Sequence, residues 1–172
     1  MYYTRILILT LIIAFFSCKK DNDYYWGTMT AQKNGVSWEG KIRATKSNIA
    51  DSKIEIYINT LDQDELPLET LGFFKVPLLL GRHRFSYTFN QPPDDSLIGC
   101  GYTNGFQDQL YDSYLLSVQD STSYLEITAF DSKKKEIRGK FNLQVWPYIK
   151  GSWNAPDSII FSSGEFHTRI SD

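Results

Sequence analysis

The sequence predicts an all-β antiparallel fold, a β-sandwich of about eight or nine strands, with a lipocalin-like closed β-barrel as the alternative. Three observations carry that expectation. Apolar residues recur with a period of two, as in Ile54, Ile56 and Ile58 against Lys53, Glu55 and Tyr57. Turn chemistry falls between the alternating runs, most clearly at Asn34-Gly35 and at Asp131-Ser132-Lys133-Lys134. Beyond the first 18 residues, no stretch has the 3.6-residue period of an amphipathic helix. A chain of 172 residues with 15% aromatic and 22% charged residues can bury one sizeable core and does not have the composition of a disordered chain.

The chain opens MYYTRILILTLIIAFFSC. Arg5 supplies a positive start, and Ile6 to Phe16 is an apolar run interrupted only by Thr10. A spanning helix needs about 20 such residues, so this run is too short and reads as a signal-peptide core. Phe15-Phe16-Ser17-Cys18 resembles the lipobox of bacterial lipoproteins, with Phe15 in place of the usual Leu. That resemblance implies a signal peptide over 1–17, removal before Cys18, and lipid attachment at Cys18. Acyl chains on Cys18 would hold the protein on a membrane without a spanning segment. Residues 18–25 then form a tether, and Lys19-Lys20-Asp21-Asn22-Asp23 looks like the signal that sends lipoproteins of the Bacteroidota to the outer face of the outer membrane. The expected location is therefore the outer membrane, facing the cell surface, with the periplasmic face as the alternative.

Residues 26–172 read as a single all-β domain. Strands are expected near 26–33, 36–46, 53–61, 68–76, 83–89, 113–119, 123–130, 135–147 and 158–170. The longest alternation sets Ile137, Gly139, Phe141, Leu143 and Val145 against Arg138, Lys140, Asn142 and Gln144. Leu125, Ile127 and Ala129 alternate in the same way with Glu126 and Thr128. Gly139 and Gly164 interrupt otherwise well-filled strands, as at a bulge or a close approach. Trp38, three places past the hairpin glycine, is expected to pack across the turn. The one long connection is Asn90 to Asp112, which carries Pro92-Pro93, Asp94-Asp95 and several Gly. A loop of that length is uncommon in a compact domain and draws attention as a partner surface.

Several segments resemble a family of small Bacteroidota outer-membrane lipoproteins of unknown function. They are the opening hairpin Met29 to Trp38, the turn Leu80 to Phe85, and the strands Leu125 to Asp131, Ile137 to Phe141 and Ser163 to Phe166. The resemblance implies the fold and the location, and carries no catalytic residue across.

Function is less legible. Eighteen basic and 20 acidic residues give a net charge of −2, which excludes the electrostatic footprint of a nucleic-acid binder. If Cys18 carries lipid, Cys100 is the remaining thiol and no internal disulfide forms. His83 reads as a satisfied strand histidine. Glu165 and His167 share a strand face but make only two ligands, short of a metal site. Asp62-Gln63-Asp64-Glu65 lacks the ordered spacing of a calcium loop. No cofactor, metal or enzymatic activity is expected. Trp146, Tyr148 and Trp153 lie close together in the link expected between the last two strands, and exposed aromatic faces there could stack on sugar rings or anchor a protein partner. Asp95-Ser96-Leu97 and Asp157-Ser158-Ile159 resemble the O-glycosylation sequon of exported Bacteroidota proteins, with Ser96 and Ser158 as acceptors. The leading expectation is a non-catalytic module that binds a glycan or an envelope protein. A lipocalin-like carrier of a small apolar ligand is the alternative.

Overall fold

The computed structural model describes residues 24–48, 52–85, 98–106, 109–116 and 122–171. Eleven strands form one sheet: β1 (Gly27–Lys33), β2 (Val36–Glu39), β3 (Lys41–Lys46), β4 (Lys53–Leu61), β5 (Pro67–Pro77), β6 (Gly81–His83), β7 (Gly99–Phe106), β8 (Gln109–Leu116), β9 (Tyr124–Asp131), β10 (Glu136–Lys150) and β11 (Ile159–Ser171). The order is β2-β1-β11-β3-β4-β5-β7-β8-β10-β9-β6, with an additional pairing of β11 to β10. Every pairing between these strands is antiparallel except the short β11–β3 contact.

The result is an all-β, sandwich-like fold. Phe73 on β5 packs on Phe141 of β10 at 5.4 Å between ring centroids, and Tyr102 on β7 packs on Phe161 of β11 at 5.3 Å. Those strands are not neighbours in the sheet, so the contacts cross the interior and join two facing walls. The alternating positions Ile54, Ile56 and Ile58 and the β10 series from Ile137 to Val145 are buried as their period requires. Asn34 (φ 51°) and Gly35 (φ 78°) make the expected positive-φ hairpin between β1 and β2. Trp38 is 6% exposed and packs on Phe161, as its place after that turn predicts. Asp131 Oδ1 accepts the backbone N–H groups of Lys133 and Lys134 in the turn before β10.

The glycines of the last two strands have a shared cause. Gly139 pairs with Phe166, and Phe141 pairs with Gly164, across the β10–β11 ladder. A Cβ on Gly164 would come 2.5 Å from the Phe141 ring, and one on Gly139 would come 2.4 Å from that of Phe166. Each glycine is thus the seat of the aromatic ring opposite it.

Four expectations need correction. Among the described residues the strands number eleven, not eight or nine, partly because 36–46 divides at Gly40 into β2 and β3. Residues 90–112 are not one connection, since β7 and the start of β8 lie within them, while 90–97 fall outside the described residues. The strand expected over 83–89 is described only as β6, ending at His83, with 86–89 outside. The alternation of β9 breaks: Arg138 pairs with Ala129 and Gly139 with Ile127, so Thr128 is the extra residue of a bulge and Ala129 turns outward to an exposed position.

Candidate functional site

One end of the sheet gathers the Asn34-Gly35 turn, the Asp62–Leu66 turn and the 151–158 loop. The registers Lys33↔Phe161, Glu69↔Asn104, Asn104↔Asp112 and Asp112↔Lys150 place them there. Within that end, β10 runs past its expected limit at residue 147 and carries Trp146, Pro147 and Tyr148 in the ladder with β8. Pro147 cannot donate to a ladder, and the register slips between Pro147 and Ile149. Of the three aromatic candidates, therefore, Trp146 is half-buried in the strand opposite Leu115, and Tyr148 is 72% exposed near the strand's end. Only Trp153 lies in the loop, where it is 98% exposed.

Asp112 holds this loop in place. The residue is 1% exposed, and its Oδ1 accepts the backbone N–H groups of Gly151 and Ser152, both at 2.9 Å. Its Oδ2 accepts from Asn104 Nδ2 at 3.0 Å, while its own N–H donates to Asn104 Oδ1 at 2.8 Å. Burial works against the charge, but the hydrogen bonds from Ser152, Asn104 and Gly151 outweigh it and keep the carboxyl below its ordinary range. The loop is braced further by Gly151 N–H to Tyr111 O at 2.9 Å, Ala155 N–H to Ser152 O at 3.2 Å, and a Lys150–Asp157 ion pair at 2.6 Å. Tyr114 Oη donates to Pro156 O at 3.3 Å beneath it. Trp153 therefore projects from a loop tied down on both sides of it, at Gly151 and Ser152 before and at Ala155 and Pro156 after. Leu110, Tyr111 and Ile149 are exposed on β8 and β10 beside it, and Val36, Leu66 and Ile160 are exposed at the same end.

A second network lies at this end, inside the rim. Glu69 forms an ion pair with Lys33 and accepts Trp38 Nε1–H at 2.6 Å, and Lys33 Nζ lies 3.2 Å from Tyr102 Oη. Burial opposes the charge of Glu69, but Lys33 and Trp38 hold its carboxyl below the usual range. The same burial, with Glu69 nearby, pushes the Tyr102 phenol well up.

The remaining candidates are placed as follows. Cys18 and Ser96 lie outside the described residues. Ser158 is half-buried at the end of the 151–158 loop, next to the ion-paired Asp157. His83 Nε2 is 2.8 Å from Leu79 O, and His167 Nε2 is 3.2 Å from Glu136 Oε2. Burial raises the Cys100 thiol far above its ordinary range. Asp62 Oδ1 accepts the N–H groups of Asp64 and Leu66, so that carboxylate shapes its own turn. Among the described residues, no three His, Cys, Asp or Glu side chains come together as a metal-binding group. No family model, curated protein or solved structure matches the chain.

Asp112 is the residue that sequence reasoning missed. Asp followed by Ser, as at Asp112-Ser113, is locally turn chemistry, but the fold puts Asp112 in a strand with partners at separations of 8, 39 and 40 residues. Only its place near the end of the long Gly-rich segment hinted at a role.

Proposed function

We propose that the chain is a lipid-anchored envelope protein, held at Cys18, whose Trp153 end is a non-catalytic binding surface for a glycan or a protein partner. The observation that carries this reading is the exposed Trp153 on a loop bracketed by buried Asp112. A rigid aromatic anchor loses little side-chain and loop freedom on binding, so its contact area is turned into affinity efficiently. The apolar side chains of Leu110, Tyr111, Tyr148 and Ile149 would widen the contact.

The point at which the tether joins the domain supports the same reading. Trp26 and Gly27 lie beside Thr168, toward the opposite end of β11 from Phe161 and Ile160. At about 3.3 Å per residue, the seven steps from Phe161 to Thr168 separate the two levels by about 23 Å. A lipid on Cys18 would thus leave the Trp153 end pointing away from the membrane.

The test is affinity electrophoresis of the purified protein through a panel of immobilised polysaccharides, with Trp153→Ala and Tyr148→Ala alongside. Retardation that both substitutions reduce at unchanged melting temperature supports the reading. Retardation that ignores both would remove the Trp153 end as the binding surface. Lipidation is checked separately, by mass spectrometry of the protein from membranes before and after Cys18→Ser.

A further inference from the structure

On the outer face of the sheet, well away from Trp153, a groove of about 390 Å³ crosses β1, β11, β10 and β9. Its side chains stand in two rows fixed by register. Thr28, His167 and Arg138 face one another across β1, β11 and β10, and Thr30, Glu165 and Lys140 form the next row. Strands about 4.8 Å apart and rows about 6.7 Å apart make a polar field of roughly 10 by 7 Å, the footprint of one sugar ring. The bulge in β9 delivers Thr128 to the border of the same groove. Bulges next to binding sites commonly re-aim a side chain in this way.

The charges in and around the groove are unequally committed. Lys140 pairs with Glu165 at 2.9 Å, His167 sits 3.2 Å from Glu136, and Arg169 shares Glu136 at 3.4 Å and lies over the Trp26 ring. Arg138 is exposed and lines the groove, yet makes no side-chain hydrogen bond or ion pair with any described residue. A guanidinium offers a planar fork of donors suited to a carboxylate or another oxyanion held by two bonds. A simple anion fits the rest of the groove badly, because the Glu165 carboxylate would repel it. A sugar acid resolves that conflict, since its acid group suits Arg138 while its hydroxyls can donate to Glu165 and exchange hydrogen bonds with the threonines.

We propose that this groove binds an acidic sugar, with the acid group on Arg138 and ring hydroxyls on Thr28, Thr30 and Glu165. The site is separate from the Trp153 end. Along β10, the ten steps from Lys140 to Lys150 span about 33 Å.

The experiment is an amide-shift NMR titration of the purified protein with cellobiouronic acid, cellobiose and inorganic phosphate, repeated with Arg138→Gln and Trp153→Ala. The expected result is saturable shifts on β1, β10 and β11 with cellobiouronic acid, at least tenfold weaker binding of cellobiose and phosphate, and at least a tenfold loss with Arg138→Gln. Equal binding of the neutral disaccharide, an unchanged Arg138→Gln variant, or no binding of the acid would each overturn the proposal. Phosphate binding as tightly as the sugar acid would reduce the site to a simple anion site and overturn it too. A loss confined to Trp153→Ala would assign the signal to the other end of the molecule.

Discussion

Trp38 and Trp153 stand at the same end of the sheet in opposite environments. Trp38 follows a tight turn, rests on Phe161 at 4.9 Å and gives its indole N–H to Glu69. Trp153 also sits on a well-ordered turn, but its ring is almost wholly in solvent. Both turns are tied by hydrogen bonds, Asn34 N–H to Ile160 O in one and the Gly151, Ser152 and Ala155 N–H groups in the other, so a loose turn does not account for the difference. What differs is the provision for the side chain. A buried indole needs an acceptor for its N–H as well as a surface for its ring, and only Trp38 has both. An ordered backbone with an unprovided aromatic side chain is the arrangement that favours recognition over stability.

Substitutions sharpen this contrast. Trp38→Ala should have the largest effect, about 3–5 kcal/mol of lost stability read from denaturant midpoints, because it empties a buried site and removes a partner of Glu69. A loss under 1 kcal/mol would mean that the interior at this end repacks freely. Asp112→Ala should cost roughly 2–4 kcal/mol, since it strips the acceptor from Ser152 and Asn104 and one of two from Gly151. Hydrogen exchange at Gly151 and Ser152 should rise in step, and unchanged protection there would show the loop to be held by other contacts.

Gly164→Ala should cost about 1–3 kcal/mol by driving a methyl group into the Phe141 ring. Pairing it with Phe141→Leu should recover part of that loss if the ring is the obstacle.

Acid should weaken the same end. Asp112 and Glu69 are held below their unfolded-chain values of 3.8 and 4.5. Their contribution is complete above those values and disappears as pH falls through the lower folded ones. Melting temperatures followed below pH 4.5 should therefore drop, and Asp112→Asn should make the drop shallower. Trp153→Ala, the smallest expected change, should leave stability within about 0.5 kcal/mol. A larger loss would make Trp153 a structural residue and remove its contrast with Trp38.

Much of the fold was legible because period-two alternation reports burial directly. β4 follows it from Lys53 to Ile58 and β10 from Glu136 to Trp146, and Asn34-Gly35 forms the turn its φ angles demand. β7 was not legible. Gly99-Cys100-Gly101 and Gly105 read locally as loop, and the strand exists because β5 and β8 flank it with matched registers. The extent of β10 was hidden by Pro147, which reads as a stop but is accommodated at a register slip. At the candidate site the aromatic residues could be named from sequence, whereas their separation into a strand residue, a strand-end residue and a loop residue could not. Glu69 with Lys33, and Asp112 with the 151–152 backbone, are long-range pairs that no local pattern announces.

The seam between β1 and β11 also imposes an order of events. Thr168 Oγ1 donates to Trp26 O at 2.6 Å across 142 positions of sequence, and β11 lies between β1 and β10. The interior can close only when both partners of that seam are present. Long-range pairings of this kind place all-β domains in the millisecond-to-second range of folding times. A chain emerging in N-to-C direction would stay open and threadable until β11 arrived, then seal its core in a single late step.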